Sequence, residues 1–435
     1  MISNIKINDR LGKWLMIFTG AILVAYPTTR FVVNELRSSY LVILFLLSLI
    51  ACGFYWPQCK EIVLTRLEKL LLFSFFLMFV VTLLSFLLLG GDHGGQTRVG
   101  IYLGFLLAIP VYFLFKLYGP SSRLIWGALT IACYVVAARA LLEMNGYVEE
   151  LTTKNIGLYR ANGTMHPIRF GDLSLLMAFI SLAGALYVKD IKRWMRVAGG
   201  IAFVCGIIAS VLSESRGGWI AVPALLIVSL WPLFRVITLK NKLIVLVVIV
   251  VGFAAMFNMS SLNIDKRFEQ AKNDILQYHV NDNSSTSIGL RFDMFEAAYW
   301  MFSENTIFGV GVGNYSDEVK RYYESNNQRI SKEIVRFDNP HNEALMHLAT
   351  RGMVGFITLT LLFFVGVIMF VTRMRQYDDK TLFYSISGLM VFVAYAHFGM
   401  SISLFMHRDF LLFFVIYVSL FAAGANKETE KIEKL

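Results

Sequence analysis

The stretch "RFDNPHNEALMHLATRGMVG", Arg336 to Gly355, sets a histidine at the lip of a long apolar run. Histidine is the side chain whose ordinary pKa lies nearest neutrality, so His341 is a candidate general base. Asn339 suits a helix N-cap and Pro340 the first helical position. That spacing puts His341 in the first helical turn, where the positive end of the helix dipole disfavours an imidazolium. Asp338 and Glu343 push the other way. A neutral ring can take a proton from an attacking hydroxyl. The competing reading is a histidine that only packs at a membrane interface, and these residues leave both open.

Arginines supply the complementary chemistry. In "SESRGGW", Ser213 to Trp219, Arg216 is the basic residue of a short turn between two apolar runs. A guanidinium near membrane depth is costly unless paired, and its fork matches two phosphate oxygens. Otherwise Arg216 snorkels to the interface beside Trp219. Arg291 opens "RFDMFEAAYW" and is either a second phosphate ligand or a solvated helix-end residue. Arg169, in "HPIRFGDLS", is a third candidate, with Arg160 and His166 ranked behind it. "GVGVGN", Gly309 to Asn314, has glycines spaced like a phosphate cradle, but no strand is predicted before it. It reads as a tight turn that lets helices pack closely. His341 and His347 are six apart, off the i, i+4 spacing of a zinc helix, and no cysteine or carboxylate pair completes a ligand set. No metal and no cofactor is expected, and His347 is assigned to packing. No nucleophile-elbow serine occurs.

The elements that must position these groups follow from composition. The 435 residues are 57% hydrophobic and 16% charged, against roughly a quarter charged in ordinary globular chains. Mean hydropathy is +0.61. Runs such as Leu70 to Gly90 lack strand alternation, so helices are the spanning element and the fold class is an all-α polytopic membrane protein. Twelve spans are expected, near 14–28, 39–56, 70–90, 99–118, 124–142, 170–188, 197–213, 217–234, 243–259, 345–371, 381–403 and 409–425. The first apolar run has no small-residue cleavage site after it and is read as a retained helix. Cys52, Cys59, Cys133 and Cys205 lie in or beside apolar runs and suggest no disulfide framework.

Alternating the connections gathers 21 Lys and Arg on one side, from Lys6, Arg10 and Lys13 to Lys427, Lys431 and Lys434. The short connections opposite hold 8. By the positive-inside rule both termini are cytoplasmic. The net charge of +10 then records orientation, and no nucleic acid partner is expected. Four regions follow: 1–259 with nine spans, 260–344 as a large outer helical loop, 345–425 with three spans, and 426–435 as a cytoplasmic tail. In the loop, Ile288, Phe292, Phe295, Tyr299 and Phe302 form one apolar helical stripe. "NYSDEVKRYYESNN" is a second helix, with Asn314 or Ser316 as its N-cap.

"SESRGGW", "GLRFDMFEAAYWMFSENTIFGVGVGNY" and "NPHNEALMHLATRGMVG", in that order, resemble the O-antigen ligase and polymerase-type membrane glycosyltransferases. The likeness runs from about Ser213 to Gly355, and it departs at Thr350, where relatives often carry an acidic residue. The resemblance implies a donor glycan on undecaprenyl pyrophosphate and an acceptor hydroxyl on lipid A–core, joined at the periplasmic face of the bacterial inner membrane. Membrane lipids are then the surroundings of the reaction. It implies that Arg216 and Arg291 hold the pyrophosphate, with Arg169 as a further ligand, and that His341 deprotonates or orients the hydroxyl. It further implies one inverting displacement without ATP. An O-antigen polymerase or a protein O-oligosaccharyltransferase fits the same motifs. A multi-span transporter is the reading from a different class, and it would favour ionisable groups at the bilayer midplane.

Overall fold

A computed structural model describes residues 10–33, 39–91, 93–148, 160–235, 238, 240, 287–326, 330–376, 378–379 and 381–426. Fifteen α-helices carry the described fold. They are α1 (Arg10–Thr29), α2 (Ser39–Phe54), α3 (Trp56–Glu61), α4 (Arg66–Leu89), α5 (His93–Tyr118), α6 (Ser122–Met144), α7 (Pro167–Tyr187), α8 (Arg193–Leu212), α9 (Arg216–Trp219), α10 (Val222–Phe234), α11 (Ser287–Glu304), α12 (Tyr315–Ser325), α13 (Glu343–Gln376), α14 (Leu382–Phe398) and α15 (Arg408–Ala425). Among the described residues nine helical stretches are long and apolar enough to cross a membrane, α9 and α10 counting as one of them. The expected spans 39–56 and 381–403 coincide with the shorter apolar helices α2 and α14. The expected span 243–259 and the loop up to 286 lie outside the described residues.

The chain divides into two compact units: Met1–Leu84, Thr97–Ser229 and Ile357–Leu435 in the first, Ser85–Gln96 and Leu230–Phe356 in the second. In the first unit α7 and α15 are the most enclosed helices, each with 89% of its apolar window buried. Small residues make the close packing around α7 possible. A Cβ on Gly206 of α8 would come within 2.7 Å of the Ala178 Cβ and 2.9 Å of the Ser174 carbonyl.

One end of α6 is fixed by a buried carboxylate. Glu143 pairs with Arg139 at 2.5 Å, and its other oxygen accepts the N–H groups of Asn162 (2.9 Å) and Gly163 (3.1 Å). The 160–165 segment is thereby held although it is neither helix nor strand. Replacing Glu143 by alanine strands Arg139 and two buried N–H groups, so stability should fall by on the order of 3 kcal/mol. Thermal unfolding in detergent measures this, and an unchanged midpoint would refute it.

In the second unit, the apolar stripe of α11 is half-buried at Ile288, Phe292, Phe295 and Phe302. The most enclosed face of the helix is Asp293, Met294, Ala297, Ala298 and Met301, while Tyr299 is 64% exposed. The narrow Ala297–Ala298 face admits close neighbours, which a row of rings does not. Trp300 still packs on Tyr322 of α12, ring centres 5.2 Å apart. Asn314 does precede α12, but its amide donates to the carbonyls of Val310 (2.8 Å) and Leu89 (3.2 Å) instead of capping.

α13 is broken at Gly352, whose backbone (φ 60°, ψ −153°) leaves the helical region. The break frees carbonyls and N–H groups that must find partners elsewhere. The carbonyls of Ala349 and Thr350 accept from Val310 (2.9 Å) and Gly311 (3.0 Å), and the N–H groups of Met353 and Val354 donate to Thr306 (2.8 Å) and Ile307 (3.2 Å). The glycine turn therefore splices the broken helix. The Gly309 N–H donates to Asn305, so three successive N–H groups of "GVGVGN" are consumed and cannot cradle a phosphate. Thr350 enters the splice through its main-chain carbonyl, which also accepts from Ser85 Oγ at 3.2 Å; this part of its role is independent of side-chain identity.

Candidate active site

His341 does not lie in the first turn of a helix. α13 starts at Glu343, and Asn342 caps it: Asn342 Oδ1 accepts from the Leu345 N–H at 3.0 Å. Asn339 instead turns the chain one step earlier, its Oδ1 accepting the His341 N–H at 2.9 Å. The second asparagine of "NPHN" wins the cap, which leaves His341 outside the helix with φ 52°. A non-glycine residue in this left-handed region costs roughly 1 kcal/mol, offset here by the flanking asparagine bonds. The Phe337 ring meets the imidazole edge-on at 5.4 Å.

The ring is half-buried. Burial, followed by the positive charge of Arg291, holds its pKa below the ordinary 6.5, with Asp338 pulling upward. The neutral imidazole thus owes its state to enclosure and Arg291, which act on a residue placed before the helix. Arg291 itself sits one turn inside α11, which begins at Ser287, so it does not open that helix. Removing its charge (Arg291→Met) should raise the His341 pKa toward 6.5, and Asp338→Asn should lower it. Titration of the His341 ring by NMR reads both shifts, and movement in the same direction would contradict the assignment.

Of two further residues in this unit, Asp293 escapes the reading of the sequence and His347 reads there only as packing. Asp293 Oδ2 accepts the Ser331 N–H at 2.9 Å, tying the segment before the histidine turn to α11. Only the fold brings together residues so distant in the chain. His347 is buried and bridges the break in α13, its Nε2 at 3.1 Å from Glu343 Oε1 and its Nδ1 at 3.2 Å from the Gly355 carbonyl. A carbonyl only accepts, so Nδ1 carries a proton. His347 is engaged in hydrogen bonds beyond simple packing.

In the first unit, Arg216 begins α9 and lies 3.8 Å from Glu214 Oε2. Arg160 donates to the carbonyls of Ser213 (2.8 Å) and Glu214 (3.1 Å). Burial lowers the Arg160 pKa, Glu214 raises it, and the like charge of Arg216 lowers it further. Two guanidinium groups therefore share the surroundings of one carboxylate, a net positive spot suited to an anion. The partners of Arg160 stand some fifty positions downstream, at Ser213 and Glu214, where local spacing does not show them.

Arg169 is brought to Asp409 instead, at 2.7 Å, and that carboxylate also binds buried Arg30. His166 serves as N-cap of α7, its Nδ1 accepting the Ile168 N–H at 3.3 Å. Among the described residues no three His, Cys, Asp or Glu side chains gather closely enough to share a metal ion.

Residues 201–360 match the family model described as O-Antigen ligase. That match supports membership of the O-antigen ligase/polymerase family. The matched stretch includes Arg216, Arg291 and His341, and leaves Arg160 and Arg169 upstream of it. Members of this family are membrane glycosyltransferase-like enzymes, a class that the nine apolar helical stretches suit. The chain is also similar to a Haemophilus influenzae protein named only "Uncharacterized protein". The two are 28% identical over 372 residues, covering 85% of this chain and 89% of the relative.

Proposed function

We propose that this protein is an O-antigen ligase acting at the periplasmic face of the inner membrane. It transfers a glycan from undecaprenyl pyrophosphate to a sugar hydroxyl of lipid A–core. The observation that carries the reading is His341: half-buried, outside any helix, and kept neutral by burial and Arg291. In the proposed step the acceptor oxygen attacks the anomeric carbon while its proton passes to the His341 imidazole. The bond from that carbon to the pyrophosphate oxygen breaks, with inversion. Arg216 and Arg291 stabilise the negative charge that gathers on the departing pyrophosphate. The glycosyl phosphate bond is already activated, so neither ATP nor a metal is required.

The test is reconstitution of the purified full-length protein with lipid-linked glycan and lipid A–core, in chelator and without nucleotide. Glycosylated lipid A–core is the expected product. Lengthening of the lipid-linked glycan alone would assign the protein to the polymerases of the same family, and transfer to an added protein would assign it to the protein O-oligosaccharyltransferases. Movement of substrate with no bond formed would favour a transporter.

A further inference from the structure

A buried carboxyl group lies directly beneath the Arg216 turn. Asp172, on the second turn of α7, is 0% exposed. Its Oδ1 hydrogen-bonds the Ser215 hydroxyl, while Oδ2 has no hydrogen-bond partner among the described residues. Ser215 is the N-cap of α9 and the residue immediately before Arg216. Its hydroxyl also lies 3.2 Å from the Ile168 carbonyl. A hydroxyl has one hydrogen, so Asp172 either accepts it or donates its own while Ser215 donates to Ile168. In both arrangements the Asp172–Ser215 bond ties the turn to α7, and with Asp172 as the donor the Ile168 carbonyl gives a second tie.

The backbone is shaped to allow this approach. A Cβ on Gly218 would collide with Asp172 Oδ1, and one on Gly171 would collide with the Ser213 hydroxyl. The Ser215 N–H is held in turn by Ser213 Oγ at 3.2 Å. A carboxyl group enclosed in a membrane protein is costly, and an apolar pair of the same size would pack here more cheaply. The directional bond to Ser215 is what an apolar pair would not provide.

We infer that Asp172 is a positioning residue that sets the Ser215–Arg216 turn, and through it the geometry with which Arg216 grips a pyrophosphate group. This rests on the reading of Arg216 as a donor ligand. The test measures KM and kcat for transfer from lipid-linked glycan, with unfolding midpoints in detergent, for Asp172→Ala, Asp172→Asn, Ser215→Ala and Arg216→Ala in the full-length protein.

Asp172→Ala and Ser215→Ala should each raise the donor KM about tenfold with kcat changed far less, the loss of one directional bond to a charged-ligand site. Asn retains an oxygen acceptor for Ser215, so Asp172→Asn should recover most of that affinity. Asp172→Ala added to Arg216→Ala should raise KM no further, because both act through one contact. If Asp172→Ala lowers the midpoint but leaves the donor KM unchanged, or if its effect multiplies with that of Arg216→Ala, the inference falls. Should Asp172→Ala not fold, Ser215→Ala with an unaltered donor KM overturns it equally. If Arg216→Ala itself leaves the donor KM unchanged, the reading of Arg216 is what fails.

Discussion

Replacing His341 by alanine should reduce glycan transfer by roughly 10²–10⁴-fold, the usual contribution of a positioned acid–base group. The donor KM should change little, because in the proposed step the imidazole handles only the acceptor's proton. Single-turnover transfer from labelled lipid-linked glycan measures the first quantity and its concentration dependence the second. Because burial and Arg291 both hold the His341 pKa below the ordinary 6.5, the ring stays a competent base at and below that pH. The wild-type acid limb should therefore lie under the ordinary histidine value. Full transfer by His341→Ala would eliminate the base, and an acid limb above 6.5 would contradict its environment.

Valine at Gly352 or Gly309 should cost more than 4 kcal/mol of stability, placing it among the rare severe substitutions. Both glycines have positive φ, 60° and 68°, where a β-branched residue is strained. Space is lacking as well. A Cβ on Gly309 would stand 2.6 Å from the Gly352 nitrogen, and one on Gly352 would stand 2.7 Å from the Gly309 nitrogen. Each glycine thus blocks the other's side chain, and displacing either pulls on the four hydrogen bonds of the splice. Limited proteolysis of the membrane-inserted protein should show 287–356 cut at a much lower protease dose. Wild-type resistance in either variant would refute the account.

The apolar helices were legible because a hydrocarbon core needs long unbroken runs, and most of the expected spans fall on helices. The glycine turn was legible as a turn, and the structure spends three of its N–H groups on main-chain carbonyls. What eluded the sequence was competition between equivalent local signals. Asn339 and Asn342 both qualify as caps, and only the surrounding bonds decide that Asn342 starts α13 while Asn339 serves a turn. On α11 the apolar stripe was legible, but not that the most enclosed face is the one carrying Ala297 and Ala298. Arg160, Asp172 and Asp293 find their partners only through the fold, so no local spacing advertises them.

The splice at Gly352 also bears on how this protein can be recombined. Residues 306–311 and 349–354 hold each other by main-chain bonds in both directions, so neither segment carries complete instructions for its own shape. A chimaera that takes its glycine turn from one relative and its 349–354 segment from another joins two halves of one device. The natural crossover points lie outside both segments, and residues 312–348 between them travel with both as a single heritable cassette.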